Sequence, residues 1–168
     1  PIIGQQGSYA ITLKATDETG LSAEQTFTIN VAAINYPPVL KVGGADTNAT
    51  TIVMSEDGSP TAWAAPSIQA TDGNGHVLTW TLQTPPSNGV ATVAGTGAAP
   101  TTLTYVPNAH FHGSDSFVIR ASDGQGKHDD LTVNVTVEPV NDVPVITSTP
   151  ASNTANEGVI YTYSITAT

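Results

Sequence analysis

The sequence contains no cysteine, so neither a disulfide framework nor a thiolate metal site can stabilise the fold. Basic residues are also scarce, because 4 lysines and arginines stand against 14 aspartates and glutamates, and the formal net charge is -10. Polyphosphate repels such a surface, so nucleic acid is not an expected partner. No apolar run approaches the roughly 20 residues of a membrane-spanning helix, so we expect no membrane insertion of this segment.

Charged residues of both signs make up only 11% of the chain. An average soluble domain has about 25%. Threonine, serine, asparagine and glycine supply the polarity instead, and apolar residues at 39% are sufficient for a core. Stretches rich in alanine, leucine, glutamate and lysine, which favour helices, are missing. The composition therefore predicts an all-β protein of short strands and tight turns.

An internal repeat divides the chain. Residues 7–40 align without a gap with residues 113–146, and ten of these 34 positions are identical. A second match pairs SIQAT at residues 67–71 with SITAT at residues 164–168. We predict three pieces: strands F and G of a preceding unit in 1–34, one complete unit in 35–141, and strands A and B of a following unit in 142–168.

Apolar residues alternate with polar residues in the complete unit, as expected for strands with one buried face. The alternation predicts seven short strands, whose inward residues are Ile52/Met54, Trp63 to Ile68, Leu78/Trp80/Leu82, Ala91/Val93, Leu103/Tyr105, Phe117/Ile119/Ala121 and Leu131/Val133/Val135/Val137. Turn sequences such as DGNG at residues 72–75 separate the strands. This spacing predicts a β-sandwich of immunoglobulin-like size.

The stretch YVPNAHFHGSDSFVIRASDG at residues 105–124, followed by an alternating strand and VNDVPV at residues 140–145, resembles the bacterial cadherin-like tandem repeats. The ending EGVIYTYSITAT at residues 157–168 is similar to the start of a dystroglycan-type cadherin-like repeat. The resemblance implies a seven-stranded Greek-key sandwich, repeated in series within a large secreted or surface-anchored adhesin. It also implies calcium at the junctions between units.

If the strands run A to G in a sandwich, the chain entry and the B–C and F–G turns lie at one end. This arrangement predicts an upper junction at which Asn35, Asp72, Asn74 and Asp123 come together. Calcium prefers six to eight oxygen ligands, and these side chains offer carboxylate and amide oxygens. The alternative is that aspartate, asparagine and glycine occur here because they stabilise turns. Tyr36 stands where the second linker has Asp142, which leaves the upper site short of one ligand.

A lower junction is predicted at the opposite end of the complete unit, from Glu56, Asp57, Asn141 and Asp142. Alignment with Asp72 places a further expected aspartate directly after Thr168, so the lower calcium site is expected to be incomplete. His110 and His112 flank Phe111 and offer two ligands to zinc or nickel, or else they form a polar connection with Phe111 packed inward.

These observations predict a non-enzymatic extracellular module: a stalk or filament-shaft segment whose partners are adjacent units of the same protein. No catalytic frame is recognisable among the serine, histidine and aspartate residues. The alternative is an adhesion module that binds glycan through Tyr36 or binds another copy of itself. That alternative includes a fibre subunit whose copies complete each other by strand exchange. An accessory domain of a secreted hydrolase also remains open.

Overall fold

The computed structural model describes residues 5–168, so the first four residues of the predicted 1–34 piece lie outside it. The described residues form strands without any helix. In chain order the strands are β1 (Gly7–Thr16), β2 (Ser22–Val31), β3 (Val39–Val42), β4 (Ala45–Asp46), β5 (Ala49–Ser55), β6 (Ile68–Thr71), β7 (Thr79–Thr84), β8 (Gly89–Thr96), β9 (Thr102–Pro107), β10 (Gly113–Ser122) and β11 (His128–Glu138). No helix in this part of the chain has the length and apolarity to cross a membrane.

Residues 35–141, which we call the middle unit, form a sandwich of two sheets. The larger sheet has the order β5-β11-β10-β7-β8-β9, and the smaller has the order β4-β3-β6. All neighbouring strands are antiparallel except β11 and β5, which are parallel. Residues of both sheets, such as Leu40 and Ile119, share one buried cluster. The predicted all-β, immunoglobulin-like fold class is therefore confirmed.

The strands of the middle unit number nine rather than the predicted seven. Gly43 and Gly44 both have positive φ, 59° and 89°, and they turn β3 back on β4 before the chain continues into β5. The stretch from Trp63 was predicted to be a strand, yet regular pairing starts only at Ile68. Pro66 lacks an amide donor for a ladder there.

The hairpin β1–β2 has the same register as β10–β11. Gly7 pairs with Val31 as Gly113 pairs with Val137. The cross-strand ion pair Lys14–Glu24 lies at the position of Arg120–Asp130. The aligned sequences therefore form the same local structure, although the assignment of residues 1–34 to a separate unit stays a prediction.

Residues 142–168 contain no regular strand, but one isolated bridge pairs Ile146 with Ala167. In the middle unit Leu40 pairs with Ala70 in β3–β6. The sequence alignment matches Ile146 to Leu40 and Ala167 to Ala70. The same pairing thus occurs at both places, while the assignment of residues 142–168 to a following unit stays a prediction.

The apolar face of β1–β2 is exposed, whereas the corresponding face of β10–β11 is buried. Leu13 is 57% exposed, and the aligned Ile119 is 0% exposed. Tyr9, Ile11, Phe27 and Ile29 are exposed as well. Among the described residues, no second sheet covers this face of the hairpin.

Asp115 is the buried polar centre of the middle unit. Its carboxylate accepts hydrogen bonds from the Ser87 and Asn88 backbone N–H groups at 3.0 and 2.9 Å and from the Tyr105 hydroxyl at 2.9 Å. Burial acts to raise the pKa of Asp115, but the backbone donors and the hydroxyl lower it below its usual value. Burial, and then the bond to Asp115, raises the pKa of Tyr105. One carboxylate thus connects β9 and β10 to the turn before β8.

Replacing Asp115 with asparagine should lower the unfolding free energy of the middle unit by about 2–3 kcal/mol at neutral pH, because the amide leaves buried donors unpaired. The folded pKa of Asp115 lies below its unfolded value of about 4. Its stabilisation is therefore present above about pH 4 and is lost as the pH falls through the folded pKa. The difference between wild type and Asp115→Asn should shrink over that range.

Urea unfolding followed by tryptophan fluorescence measures this difference, since both tryptophans, Trp63 and Trp80, belong to the middle unit. Asp46→Asn is the control, because Asp46 forms an exposed ion pair with Lys41 and its removal should cost under about 1 kcal/mol. Equal effects of the two variants would contradict the role of Asp115.

Gly89 packs directly against the strand that faces it. A Cβ atom there would lie 2.6 Å from the Val106 carbonyl oxygen and 2.7 Å from the Tyr105 ring. Gly89→Ala should therefore destabilise the middle unit by about 1–3 kcal/mol. Gly73→Ala is the matched control, because its Cβ would meet only Tyr36 at an ordinary 3.5 Å. The same fluorescence experiment reports both variants, and an unaffected Gly89→Ala protein would show that β8 and β9 are farther apart.

Candidate functional site

The same turn, with the sequence D-x-x-G-x, occurs three times at strand ends. We call its copies the Asp17 turn (residues 17–21), the Asp72 turn (72–76) and the Asp123 turn (123–127). In each, the aspartate Oδ1 accepts hydrogen bonds from the backbone N–H groups two and four residues later, at 2.7–3.0 Å. The glycine three residues after the aspartate has a positive φ in all three copies. Each turn thereby satisfies its own backbone through Oδ1, while Oδ2 of Asp123 accepts the side-chain amide of Asn35.

The Asp72 and Asp123 turns bring two carboxyl groups together at the upper junction. The side chains of Asp72 and Asp123 are 1% and 0% exposed. One ligand atom each of Asp72, Asp123 and His76 lies within 4.8 Å of the other two. Within residues 5–168 no lysine or arginine forms an ion pair with either aspartate. Buried carboxyl groups this close are stable only with compensating donors or a cation.

The pKa of Asp123 reflects these surroundings. Burial acts to raise it, while the side-chain amide of Asn35, the backbone N–H groups of Gln125 and Lys127, and the nearby His76 lower it. The result is a pKa below the usual value, so Asp123 carries its negative charge at neutral pH.

The linker between β2 and β3 is hydrogen-bonded to both turns. Asn74 accepts the Tyr36 backbone N–H with Oδ1 at 2.7 Å and donates Nδ2 to the Ile34 carbonyl at 2.8 Å. Asn35 donates Nδ2 to Asp123 Oδ2 at 2.7 Å. All four predicted upper-junction residues therefore lie together. Both polar side-chain atoms of Asn74, however, bind the linker backbone, and we call this pair of hydrogen bonds the clamp.

Three buried polar atoms of the upper junction have no hydrogen-bond partner: Asn35 Oδ1, Asp72 Oδ2 and His76 Nδ1. Buried polar atoms of this kind are uncommon in folded proteins, and an ion is one explanation for them. All three are possible metal ligands. The upper junction thus has three unused ligand atoms at the place where a cation would compensate the negative charges of the two aspartates.

His76 was not among the predicted site residues. It is the last residue of the Asp72 turn, and its backbone N–H is bound by Asp72 Oδ1. The corresponding positions hold Leu21 and Lys127 in the other two turns. Comparison of the three D-x-x-G-x sequences is the signal that would have placed the imidazole beside both aspartates.

The predicted lower-junction residues do not form a comparable cluster. Glu56 accepts the Val140 backbone N–H with Oε1 at 2.6 Å, and Asp142 lies 3.1 Å from His110 Nδ1. Asp57 and Asn141 are exposed. Within residues 5–168, the metal-ligand group with three members is the one at the upper junction. The lower calcium site stays a prediction.

The other two candidate features lie at the surface. Tyr36 is 41% exposed, and its side chain lies over Gly73 of the Asp72 turn. Glycan binding by Tyr36 stays a prediction. His110 and His112 are exposed, while Phe111 packs against the core, as in the predicted polar connection.

Two solved structures are similar in fold. One is protocadherin gammaB7, a cis-dimer structure of EC3-6, with a TM-score of 0.44 and 20% identity over 87% of this chain and 36% of that one. The other is an endo-fucoidan hydrolase of glycoside hydrolase family 107, with a TM-score of 0.42 and 21% identity over 88% of this chain and 22% of that one. The chain spans well under half the length of either structure, and neither likeness is close enough to indicate function. No curated protein matches the sequence.

A family comparison covers the middle unit. The bacterial Ig domain family matches residues 35–136, more than half of the chain, from Asn35 of the linker into β11. Domains of this family are typically non-enzymatic and typically occur in surface proteins. The match confirms the predicted resemblance to a bacterial cadherin-like, immunoglobulin-like domain. The chain belongs to the bacterial Ig domain family.

Proposed function

We propose that the chain is an extracellular structural module, a stalk or filament-shaft segment of a repetitive bacterial surface protein. In this proposal its task is mechanical, and it holds successive units at a fixed distance and angle. The observation that carries the proposal is the upper junction, where Asn74 of the middle unit donates to the carbonyl of Ile34, the last residue of the preceding piece, and accepts the Tyr36 N–H beside it. A flexible tether between independent domains would need no such bonds.

The linker sequence itself supports a stiff connection. Pro37 and Pro38 restrict their own φ angles, and Pro37 also disfavours the helical region for Tyr36. The clamp by Asn74 then fixes the backbone on both sides of Asn35. The linker thus has few conformations to lose when the clamp closes.

The hydrogen bonds that hold the linker contribute about as much free energy as the ordering of the linker costs. Ordering residues 34–36 costs about 3–6 kcal/mol of backbone entropy. The four hydrogen bonds from Asn74 and Asn35 to the linker backbone, Asp123 and Gln125 return about 2–6 kcal/mol. A further interaction that holds Asn35 and Asp123 together would therefore decide whether the junction is rigid.

In this proposal a divalent cation supplies that interaction at Asp72 and Asp123. Calcium is the cation that the family resemblance implies, and the carboxylates with the Asn35 amide oxygen offer the kind of ligand it prefers. The bound charge would compensate the two aspartates and fix Asn35, which is part of the linker. The junction would then stiffen when the cation binds.

Asn74→Ala tests the clamp. The substitution removes both hydrogen bonds to the linker, so proteolysis within residues 32–38 should become faster. The increase should be about twofold without cation, where open and closed linker are about equally populated, and up to about tenfold with saturating divalent cation, where the linker is mostly closed. The tryptophan-monitored stability of the middle unit should change little. Limited digestion of the full chain with a protease of broad specificity, followed by mass spectrometry, measures the rate.

Asn108→Ala is the matched control, since Asn108 is an exposed turn residue far from the linker in sequence. Equal digestion of the linker in wild type and in Asn74→Ala would count against a rigid junction. A drop in the stability of the middle unit would show that Asn74 belongs to its core structure instead.

Self-association is the second candidate function, and the exposed face of β1–β2 favours it. Leu13 and Phe27 on this face correspond to the buried Ile119 and Val133 in the middle unit. A second copy of the chain could cover this face by adding strands, as in fibres assembled by strand exchange.

Analytical ultracentrifugation over a wide concentration range tests this candidate. Self-association predicts a mass that rises with concentration and a shift toward monomer in Leu13→Ser/Phe27→Ser, which makes the face polar. The control is Val90→Ser/Val106→Ser, an exposed valine pair on the neighbouring strands β8 and β9. A monomer at every concentration would rule the candidate out.

A further inference from the structure

We propose that the upper junction is a binding site for a transition-metal cation of the zinc class, with His76, Asp72 and Asp123 as ligands. The inference deepens the proposed function, on which it rests, because it specifies which cation stiffens the junction. The expectation of calcium considers only the oxygen ligands of the asparagine and aspartate side chains. The presence of an imidazole nitrogen in the same group leads to a different metal.

The three ligands are already close to the spacing that a metal requires. His76 Nδ1 lies 3.4 Å from Asp72 Oδ1 and 3.9 Å from Asp123 Oδ2. Around tetrahedral zinc, bonds of about 2.0–2.1 Å place neighbouring ligand atoms roughly 3.3–3.4 Å apart. One ligand atom of each of the three groups lies within 4.8 Å of the other two, so side-chain shifts of up to about 1.5 Å would bring them onto one ion.

His76 is not explained by its protein contacts. Its Nδ1 is buried and forms no hydrogen bond, although it lies 3.4 Å from Asp72 Oδ1. Asp72 Oδ2 is likewise buried and unpartnered, on a side chain that is 1% exposed. His76 Nδ1 and Asp72 Oδ2 are therefore two unused metal-ligand atoms beside Asp123. They point to a metal ion that binds nitrogen and oxygen ligands together.

The ligand types decide between metals. Calcium takes six to eight oxygen ligands, whereas imidazole suits zinc, copper, iron and nickel. His76, Asp72 and Asp123 supply one nitrogen and two carboxyl groups, and Asn35 Oδ1, also unpartnered, offers a fourth ligand. One nitrogen and three oxygens match the number that tetrahedral zinc requires. A divalent ion would also be neutralised by the two carboxylates, which makes its burial less costly.

Hydrogen bonds from the backbone hold the two aspartate ligands in place. The Asp72 Oδ1 is fixed by the backbone N–H groups of Asn74 and His76, and the Asp123 Oδ1 by those of Gln125 and Lys127. Such contacts orient metal ligands and contribute to affinity. Because Asn35 belongs to the linker and donates to Asp123, metal binding at this place acts directly on the junction.

Isothermal titration of the metal-free full chain with Zn²⁺, and separately with Ca²⁺, tests the proposal. We expect one Zn²⁺ site per chain with an affinity at least about tenfold above that for Ca²⁺. His76→Leu, which installs the residue of the Asp17 turn, should weaken Zn²⁺ binding at least about tenfold, the loss that even an outer contact of a metal site can cause. The imidazole ¹⁵N signals of His76 should move on addition of Zn²⁺.

The matched control is His110→Ala/His112→Ala, which removes the exposed histidine pair and should retain the Zn²⁺ affinity. Far-UV circular dichroism shows whether His76→Leu stays folded, and Asp72→Asn provides a second ligand variant with nearly the same shape. Absence of Zn²⁺ binding, its survival in both His76→Leu and Asp72→Asn, or its loss in the control would overturn the proposal. Binding of Ca²⁺ without Zn²⁺ would overturn the metal class, while the digestion of Asn74→Ala tests the rigid junction separately.

Discussion

Two carboxyl groups, those of Asp72 and Asp123, lie close together and almost out of contact with water at one end of the sandwich. Their proximity is unfavourable in itself, so the surrounding structure must compensate it. The aspartate turns do part of this by donating backbone N–H groups to each Oδ1. The linker does another part through Asn35. The need to compensate these two side chains accounts for the hydrogen bonds that converge on them at this end of the sandwich.

The D-x-x-G-x turn explains how such a junction can recur along a chain. Each copy needs only an aspartate and a glycine at fixed spacing, and the glycine provides the positive φ. The fifth residue of the turn is free to vary, and it is leucine, histidine and lysine in the three copies. The geometry of the turn thus stays constant while the chemistry of its fifth position changes. In the middle unit the variable position places His76 beside the aspartates.

Much of this arrangement was predictable from the sequence. Alternation and the repeat predicted the all-β fold, and strand order predicted that Asp72 and Asp123 would meet. The role of Asn74 was not predictable, because ligand type alone does not show that both of its polar atoms bind the linker backbone.

The strand count differed for similarly local reasons. The pair Gly43–Gly44 folds the first strand into a short hairpin, and the chain around Pro66 stays out of the ladder. His76 was missed because a single histidine before a strand has no periodic signal. Comparison of the three turns would have singled it out, and its proximity to Asp123, across 47 positions of sequence, shows its relevance.

The most direct test of a rigid junction is the hydrogen exchange of the Tyr36 backbone amide, measured by NMR in the full chain. That N–H donates to Asn74 Oδ1, a side chain of the middle unit. The account predicts that Tyr36 is weakly protected without cation and strongly protected with saturating divalent cation, while the Ile119 amide in the core serves as the reference. Exchange of Tyr36 at the rate of an unstructured peptide, with or without cation, would show that the linker is free and would contradict the account.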